Sequence, residues 1–195
     1  MIEITNRRAC RHFSNDHVEA EKLRQVLEAG RLAPSGFGLE PWRFLVVEKP
    51  ALRARVAEAC FGQPPAVTAP ILIVIVARVA ELRPDSDYVR QQLMVEAGEN
   101  AVAAVMEAYR AFYESGDIAP WAAGQCQIAA AFMMLEAVHQ QLATCPIGGF
   151  DERALSRAIN MPVGETPALV LALGHCKDRP GPRVRRTVEE VISYL

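Results

Sequence analysis

Between Pro70 and Ala77 the chain reads Ile71-Leu72-Ile73-Val74-Ile75-Val76. An amphipathic strand alternates apolar and polar residues, so a strand with no polar residue on either alternate face has no side to offer to water. The run therefore predicts a central strand, covered on both faces. Any fold that this chain adopts must place other strands beside this one and pack further elements above and below it.

Two further strands are expected, over residues 42–47 and 167–173. Helical spacing of Leu23, Val26, Leu27 and Gly30 predicts a helix over residues 18–32, with Asp16 and Glu19 placed as a capping box. A short helix is expected over 51–60, broken by Gly62-Gln63-Pro64-Pro65. After a turn at 83–87, one long helix carries Leu93, Ala97, Ala101, Ala104, Val105, Ala108 and Phe112 along one side. The next helix, over 121–142, has only Glu136 charged between Ile128 and Val138. A helix apolar nearly all round is buried, in a core or in a subunit interface. Two long helices of this kind point to a homodimer. Three strands set among helices give an α+β fold in a single domain over residues 1–195. Gly36-Phe37-Gly38 lacks a third glycine and follows a helix instead of a strand, so a dinucleotide-binding turn is excluded.

Three stretches could carry chemistry. Ala33-Pro34-Ser35-Gly36-Phe37-Gly38-Leu39-Glu40-Pro41-Trp42 joins a helix to a strand between two prolines. It reads either as a plain connection or as a close-fitting wall for a flat ligand, since glycine lets backbone approach closely. Cys145-Pro146-Ile147-Gly148-Gly149-Phe150 reads either as a turn before a helix at 151–159 or as a set of backbone N–H donors facing a ligand. Arg7, Arg8 and Arg11 near one end of the chain, and Arg183, Arg185 and Arg186 near the other, read either as solvated surface or as an anion site. Guanidinium forks bind phosphate with paired, charge-assisted bonds. On a helix, Arg7 and Arg11 share a face. If the two termini meet, the six arginines form a site of phosphate size.

The formal net charge of −2 gives no electrostatic case for nucleic-acid binding. No Gly-x-Ser-x-Gly elbow, no phosphate-binding Lys-Ser/Thr loop and no metal-ligand spacing among His12, His17, His139 and His175 is present. Cys10, Cys60, Cys126, Cys145 and Cys176 are odd in number and widely spaced, and are expected as reduced thiols in a cytoplasmic protein. Residues 1–12 are polar and arginine-rich, so no secretory signal is expected, and the apolar runs 69–77 and 128–135 are too short to span a bilayer. A chain with few acids, bases or nucleophiles suits a cofactor that brings its own reactivity. Flavin mononucleotide (FMN) fits: one phosphate, a polar ribityl chain, and a flat ring that needs apolar faces and donors at its edge.

Four blocks, in order, resemble the flavin-dependent nitroreductase family. Arg7-Arg8-Ala9-Cys10-Arg11 resembles Arg-Arg-Ser-x-Arg/Lys, with Ala9 in place of the family's Ser. Residues 33–44 resemble Ala-Pro-Ser-x-x-x-x-Gln-Pro-Trp-x-Phe, with Glu40 for Gln and Gly38 for Asn. Pro146-Ile147-Gly148-Gly149-Phe150 resembles Pro-Ile/Met-Glu/Gly-Gly-Phe, and Pro182-Arg183-Val184-Arg185 resembles Pro-Lys/Arg-x-Arg. The resemblance implies a nitroreductase-like fold: a central mixed or antiparallel sheet flanked by helices, with long buried helices at a homodimer interface. It implies that FMN lies at that interface. Arg7 would grip its phosphate beside Arg8 and Ala9, helped by Arg183 and Arg185. Arg11 would lie by the N1/O2 edge and stabilise charge there, as the catalytic residue. The Gly148 and Gly149 backbone N–H groups would meet N5 and O4, with Pro146 and Ile147 also binding the cofactor, and Gln63 would touch the ring edge. Pro34, Ser35 and Gly36 would come from the partner subunit, and the C-terminal tail would extend onto the partner's sheet.

By the same resemblance, NADH or NADPH delivers hydride to the flavin, leaves, and is replaced by a nitroaromatic, quinone or similar electron-poor acceptor. No metal, nucleic acid or membrane takes part. The alternatives are another reaction on the same scaffold, such as enone reduction or dehalogenation, which a lid between the two long helices would favour, or a non-catalytic flavin-binding protein.

Overall fold

A computed structural model describes residues 2–178 and 181–195. Its elements are, in order, α1 (Ile2–Asn6), α2 (Ala20–Arg31), β1 (Trp42–Val47), α3 (Pro50–Ala59), α4 (Pro64–Thr68), β2 (Ile71–Ala77), α5 (Asp87–Ala97), α6 (Val102–Glu114), α7 (Ile118–His139), β3 (Ala143–Ile147), α8 (Glu152–Ala158), β4 (Thr166–Gly174) and α9 (Val188–Val191). Short 3-10 turns at Gly36–Gly38 and Val79–Leu82 complete them. The fold is α+β.

The sheet is antiparallel throughout, in the order β1-β2-β4-β3. β2 is central, as its apolar run requires, and every one of its residues is buried. Its alternate side chains enter two different cores. Ile71, Ile73, Ile75 and Ala77 face a cluster with Val26 of α2, Leu93 of α5, Tyr109 of α6 and Met133 of α7. Leu72, Val74 and Val76 face a second cluster with Val56 of α3, Ala66 of α4 and Leu155 of α8. Helices thus cover both faces of the sheet.

Several local expectations are corrected. The stretch 143–147 is a strand, not a turn. It pairs with β4 through Cys145↔Ala172 and Ile147↔Val170, and it tolerates Pro146 because it lies at the edge of the sheet. The long helix expected after residue 87 is two helices. Gly98 closes α5 with φ of +73°, a conformation that ends the α-helical repeat. Pro64 starts α4 where a simple break was expected; proline at the first helical position loses no hydrogen bond. The Asp16/Glu19 capping box does not form. Glu19 is the N-cap residue of α2 without a side-chain capping bond, its carboxylate accepting from Lys22 Nζ at 3.0 Å, and Asp16 instead accepts from the Ser14 hydroxyl at 2.7 Å. A capping box is found at Thr187 and Glu190, opening α9.

α7 starts and ends three residues earlier than expected. It is 22 residues long and apolar enough to cross a bilayer by composition. Its actual environment is mixed. Ala122, Cys126, Ala129, Ala130, Met133 and Ala137 are buried under the sheet, whereas Ile128 and Phe132 are 36% and 41% exposed. The helix is therefore buried on one side within the protomer and apolar on the other.

Candidate functional site

α1 stops at Asn6, so Arg7 and Arg11 do not share a helix face as expected. The chain from Arg7 to Arg11 runs extended along the free edge of β3, bridged at Ala9↔Thr144, with the Cys10 N–H donating to the Thr144 carbonyl at 3.0 Å. The C-terminal arginines arrive from the opposite direction, after β4. The Arg183 guanidinium donates to the carbonyls of Ile4, Thr5 and Arg7 at 3.0, 3.0 and 2.6 Å. These carbonyls belong to or follow the last turn of α1, so Arg183 satisfies acceptors that the helix itself leaves open. The Arg8 guanidinium returns the contact, donating to the Gly181 carbonyl. The two termini meet.

Where they meet lies a cavity of about 520 Å³, lined by Arg7, Arg8, Ala9, Arg11, Arg183 and Arg185 together with Cys176, Asp178, Gly181, Pro182 and Val184. Arg186 is not in the lining. Among the described residues five arginines and one carboxylate line the cavity, and that carboxylate, Asp178, is 2.8 Å from Nδ1 of His12. Arg7 feels the imbalance. Burial, and then the like charges of Arg183 and Arg185, pull its pKa below the ordinary arginine value. An anion placed here would offset the repulsion. Cys145, on β3, also senses the site: burial raises its pKa, and the charges of Arg11 and Arg7 draw it part of the way back.

β3 carries the second part of the site. At its end, Gly148 and Gly149 are exposed, and neither amide N–H donates to another group among the described residues. A Cβ on Gly148 would meet nothing within 4 Å, so this backbone stands open. Gln63, the N-cap residue of α4, reaches across and donates from Nε2 to the Gly149 carbonyl at 2.7 Å. Pro146 is exposed, whereas the Ile147 side chain is buried in the core, leaving Ile147 only its backbone for a ligand. Arg7–Arg11, β3, the paired glycines and Gln63 are thus joined by consecutive contacts.

Pro34, Ser35 and Gly36 are not part of this group within the protomer. Their loop is fixed to helices on the other core. The Gly36 N–H donates to Oε1 of Gln125 at 2.8 Å, the Ser35 hydroxyl accepts from the Glu40 N–H at 2.8 Å, and Gln92 and Tyr88 donate to the carbonyls of Gly38 and Leu39. The Phe37 ring lies against Tyr109 and Phe112. The loop is held by these bonds and contributes nothing to the lining of the arginine cavity within the protomer.

Reading the sequence alone missed Cys176, Asp178 and a disulfide. Cys10 and Cys176 are bonded, with Cα atoms 5.6 Å apart, which corrects the expectation of five free thiols. The pair is separated by 166 residues, so no local spacing could have revealed it. Cys60, Cys126 and Cys145 remain free and buried. Among the described residues no group of His, Cys, Asp or Glu is placed to hold a metal ion.

A sequence model of the nitroreductase family matches residues 4–175. A Staphylococcus haemolyticus protein named "putative NAD(P)H nitroreductase" is 31% identical over 205 residues, covering 97% of this chain and 94% of its own. Among solved structures, a "putative nitroreductase in complex with FMN" from Exiguobacterium sibiricum superposes with a TM-score of 0.82 at 24% identity, covering 99% of this chain and 95% of that one. CLA-ER, an enone reductase of gut-bacterial fatty acid saturation, superposes with a TM-score of 0.81 at 18% identity, covering 99% and 96%. The match spans both cores and the N-terminal half of the arginine site: this chain belongs to the nitroreductase family of oxidoreductase enzymes.

Proposed function

We propose that this protein is an FMN-dependent NAD(P)H oxidoreductase that reduces nitroaromatics, quinones or similar electron-poor acceptors. The observation that carries the reading is the five-arginine cavity joined through β3 to an open pair of glycine amides. The donor set fits FMN part by part. Uncompensated guanidinium charge suits a phosphate monoester, and unpartnered backbone N–H groups suit the acceptors on the edge of a flat ring. FMN, when bound, supplies the chemistry, accepting hydride from NADH or NADPH and passing it to the acceptor.

The residues of the chain do the rest. Arg7, Arg8, Arg183 and Arg185 hold the phosphate, with Ala9 contributing backbone only where a serine would add a hydroxyl. Arg11, in the cavity lining, would supply fixed positive charge against charge of the opposite sign developing during the reaction. Charge that is already in position needs no reorganisation at that moment. Pro146, Ile147, Gly148 and Gly149 orient the ring through main-chain contacts, and Gln63, already tied to Gly149, fixes the depth of that loop. No side chain of the site is needed as a proton donor.

The working unit is a homodimer with the site at the interface. The apolar outer side of α7, with Ile128 and Phe132, forms the contact, and the loop bearing Pro34, Ser35 and Gly36 closes the partner's site. The second reaction class, enone reduction or dehalogenation, called for a lid between the long helices; α6 and α7 are joined by only residues 115–117. The test is direct. The purified protein should take up FMN with quenching of its fluorescence, and should oxidise NADH or NADPH anaerobically when a nitroaromatic or quinone is added. A protein that leaves FMN fluorescence unchanged defeats the reading.

A further inference from the structure

The Cys10–Cys176 bridge sits in the wall of the arginine cavity. Cys10 lies between Ala9 and Arg11, and Cys176 lines the cavity itself. The bridge therefore joins the strip that carries Arg7, Arg8 and Arg11 to the end of β4, from which the chain continues to Arg183 and Arg185. Among the described residues the other ties between these walls are Lys177 N–H to the His12 carbonyl at 2.9 Å, Ser14 N–H to the His175 carbonyl at 2.9 Å, and the side-chain contacts of Arg183 with the Ile4, Thr5 and Arg7 carbonyls, of Arg8 with the Gly181 carbonyl and of His12 with Asp178. Against them acts the mutual repulsion of the guanidinium groups; the pKa of Arg7 is lowered first by burial and then by the charges of Arg183 and Arg185.

We propose that Cys10 and Cys176 form a reversible thiol–disulfide site that sets the grip of the cavity on a phosphate monoester. The proposal rests on the FMN reading above. Closed, the bridge holds the two arginine-bearing walls at the separation seen here. Open, it lets repulsion move them apart, so a phosphate must first draw them together, and affinity falls by that preorganisation.

The exchange needs a dithiol as reductant. Cys10 is 1% exposed whereas Cys176 is partly exposed, so Cys176 is the sulfur open to attack. A thiolate of the dithiol bonds to Sγ of Cys176, the Cys10–Cys176 bond breaks, and Sγ of Cys10 leaves as a thiolate and takes a proton. The second thiol of the reductant then attacks the mixed disulfide and releases Sγ of Cys176, which takes the second proton. Two electrons and two protons pass from the dithiol, which ends as a disulfide, to the protein. A small-molecule disulfide reverses the sequence. Disulfides in a reducing compartment are, as a class, mostly transient or sensing, which suits a bridge placed at a ligand site instead of across a core.

The test compares FMN and riboflavin binding, by fluorescence quenching, to the full chain oxidised and after treatment with a dithiol. FMN should bind about tenfold more tightly to the oxidised protein, and riboflavin, which has no phosphate, should bind both forms alike. By linkage, saturating FMN should lower the reduction potential of the bridge by about 30 mV for that tenfold preference. The Cys10→Ser/Cys176→Ser double variant should show the reduced-state affinity with or without dithiol.

Equal FMN affinity in both states overturns the proposal and leaves the flavin reading standing. An equal redox dependence for riboflavin overturns it, because the phosphate is then not what the bridge controls. Alkylation of Cys10 and Cys176 in air-oxidised native protein before any reductant is added overturns it, as does loss of fold by circular dichroism on reduction. FMN binding in neither state overturns this proposal and the flavin reading together.

Discussion

The guanidinium of Arg183 donates to the backbone carbonyl of Arg7 at 2.6 Å, across 176 residues of chain. The bond goes to the main chain, so it fixes the path of the N-terminal strip without using the Arg7 side chain, which lines the cavity and also reaches Sδ of Met134 at 4.0 Å. One residue thereby builds the wall from which its neighbours act. Arg183→Ala removes the charge-assisted bonding of one guanidinium nitrogen, whose two hydrogens are shared among three carbonyls, where a single such bond is worth about 1.5–3 kcal/mol. The FMN dissociation constant should rise at least about tenfold, since about 1.4 kcal/mol is a factor of ten. Titration by flavin fluorescence measures it, and an unchanged constant would remove Arg183 from the site.

Arg11 is expected to behave differently. It lines the cavity at the strip's far end, two residues beyond the bridge to Thr144. Arg11→Ala should slow anaerobic hydride transfer from NAD(P)H more than it weakens FMN binding. Stopped-flow absorbance on FMN-saturated protein separates the two, and an unaltered transfer rate rejects the role.

The outer side of α7 should govern assembly. Phe132→Asp places a charge on the exposed apolar side without disturbing Met133 and Ala130, which are buried under the sheet. Size-exclusion chromatography with light scattering should show a monomer with weakened FMN binding, because Pro34, Ser35 and Gly36 would no longer reach a partner's site. A variant that remains dimeric would place the interface elsewhere.

Gly174, the last residue of β4, shows how tightly the sheet end is packed. A Cβ there would lie 2.6 Å from Cδ of Pro70 and 3.2 Å from the Phe13 ring. The proline ring cannot swing aside, so Gly174→Ala should destabilise the fold by about 1–3 kcal/mol. Urea denaturation measures the change. A shift below a few tenths of a kcal/mol would mean that the backbone yields freely.

Buried thiols set an alkaline limit to stability. Burial pushes the pKa of Cys60 up to about 11 and that of Cys126 up to about 12, from an ordinary value of 9.0. Both groups are neutral in the folded and unfolded chains below pH 9, so their contribution is fully present there. Above it the unfolded chain loses protons that the folded chain keeps, and the contribution fades until the folded thiols titrate as well. Stability should therefore fall between pH 9 and about pH 11–12, by about 1.4 kcal/mol per pH unit for each thiol that ionises only when unfolded. Denaturation midpoints of wild type and Cys126→Ala across this range test the sign; an equal slope in the two proteins would acquit Cys126.

Much of this molecule is legible in local pattern. The run from Ile71 to Val76 determined a central strand with two covered faces, since no residue in it can face water. The spacing of Leu23, Val26 and Leu27 determined α2, and the near absence of charge in residues 128–138 determined a helix apolar nearly all round, which the protomer buries on one side only. The arginine blocks at the two ends do come together around one cavity, as the sequence led us to expect. What local pattern could not supply was which distant pieces meet. β3 is short, carries a proline, and is a strand only because β4 offers it a ladder. The split at Gly98 depended on one glycine adopting a left-handed conformation within otherwise helical spacing. The meeting of Arg183 with Arg7, and of Cys10 with Cys176, depended on the paths of both termini around the sheet. Periodicity reports which side of an element must be buried, whereas contacts between residues more than 160 positions apart are chosen by packing of the whole chain, and only the folded structure makes that choice.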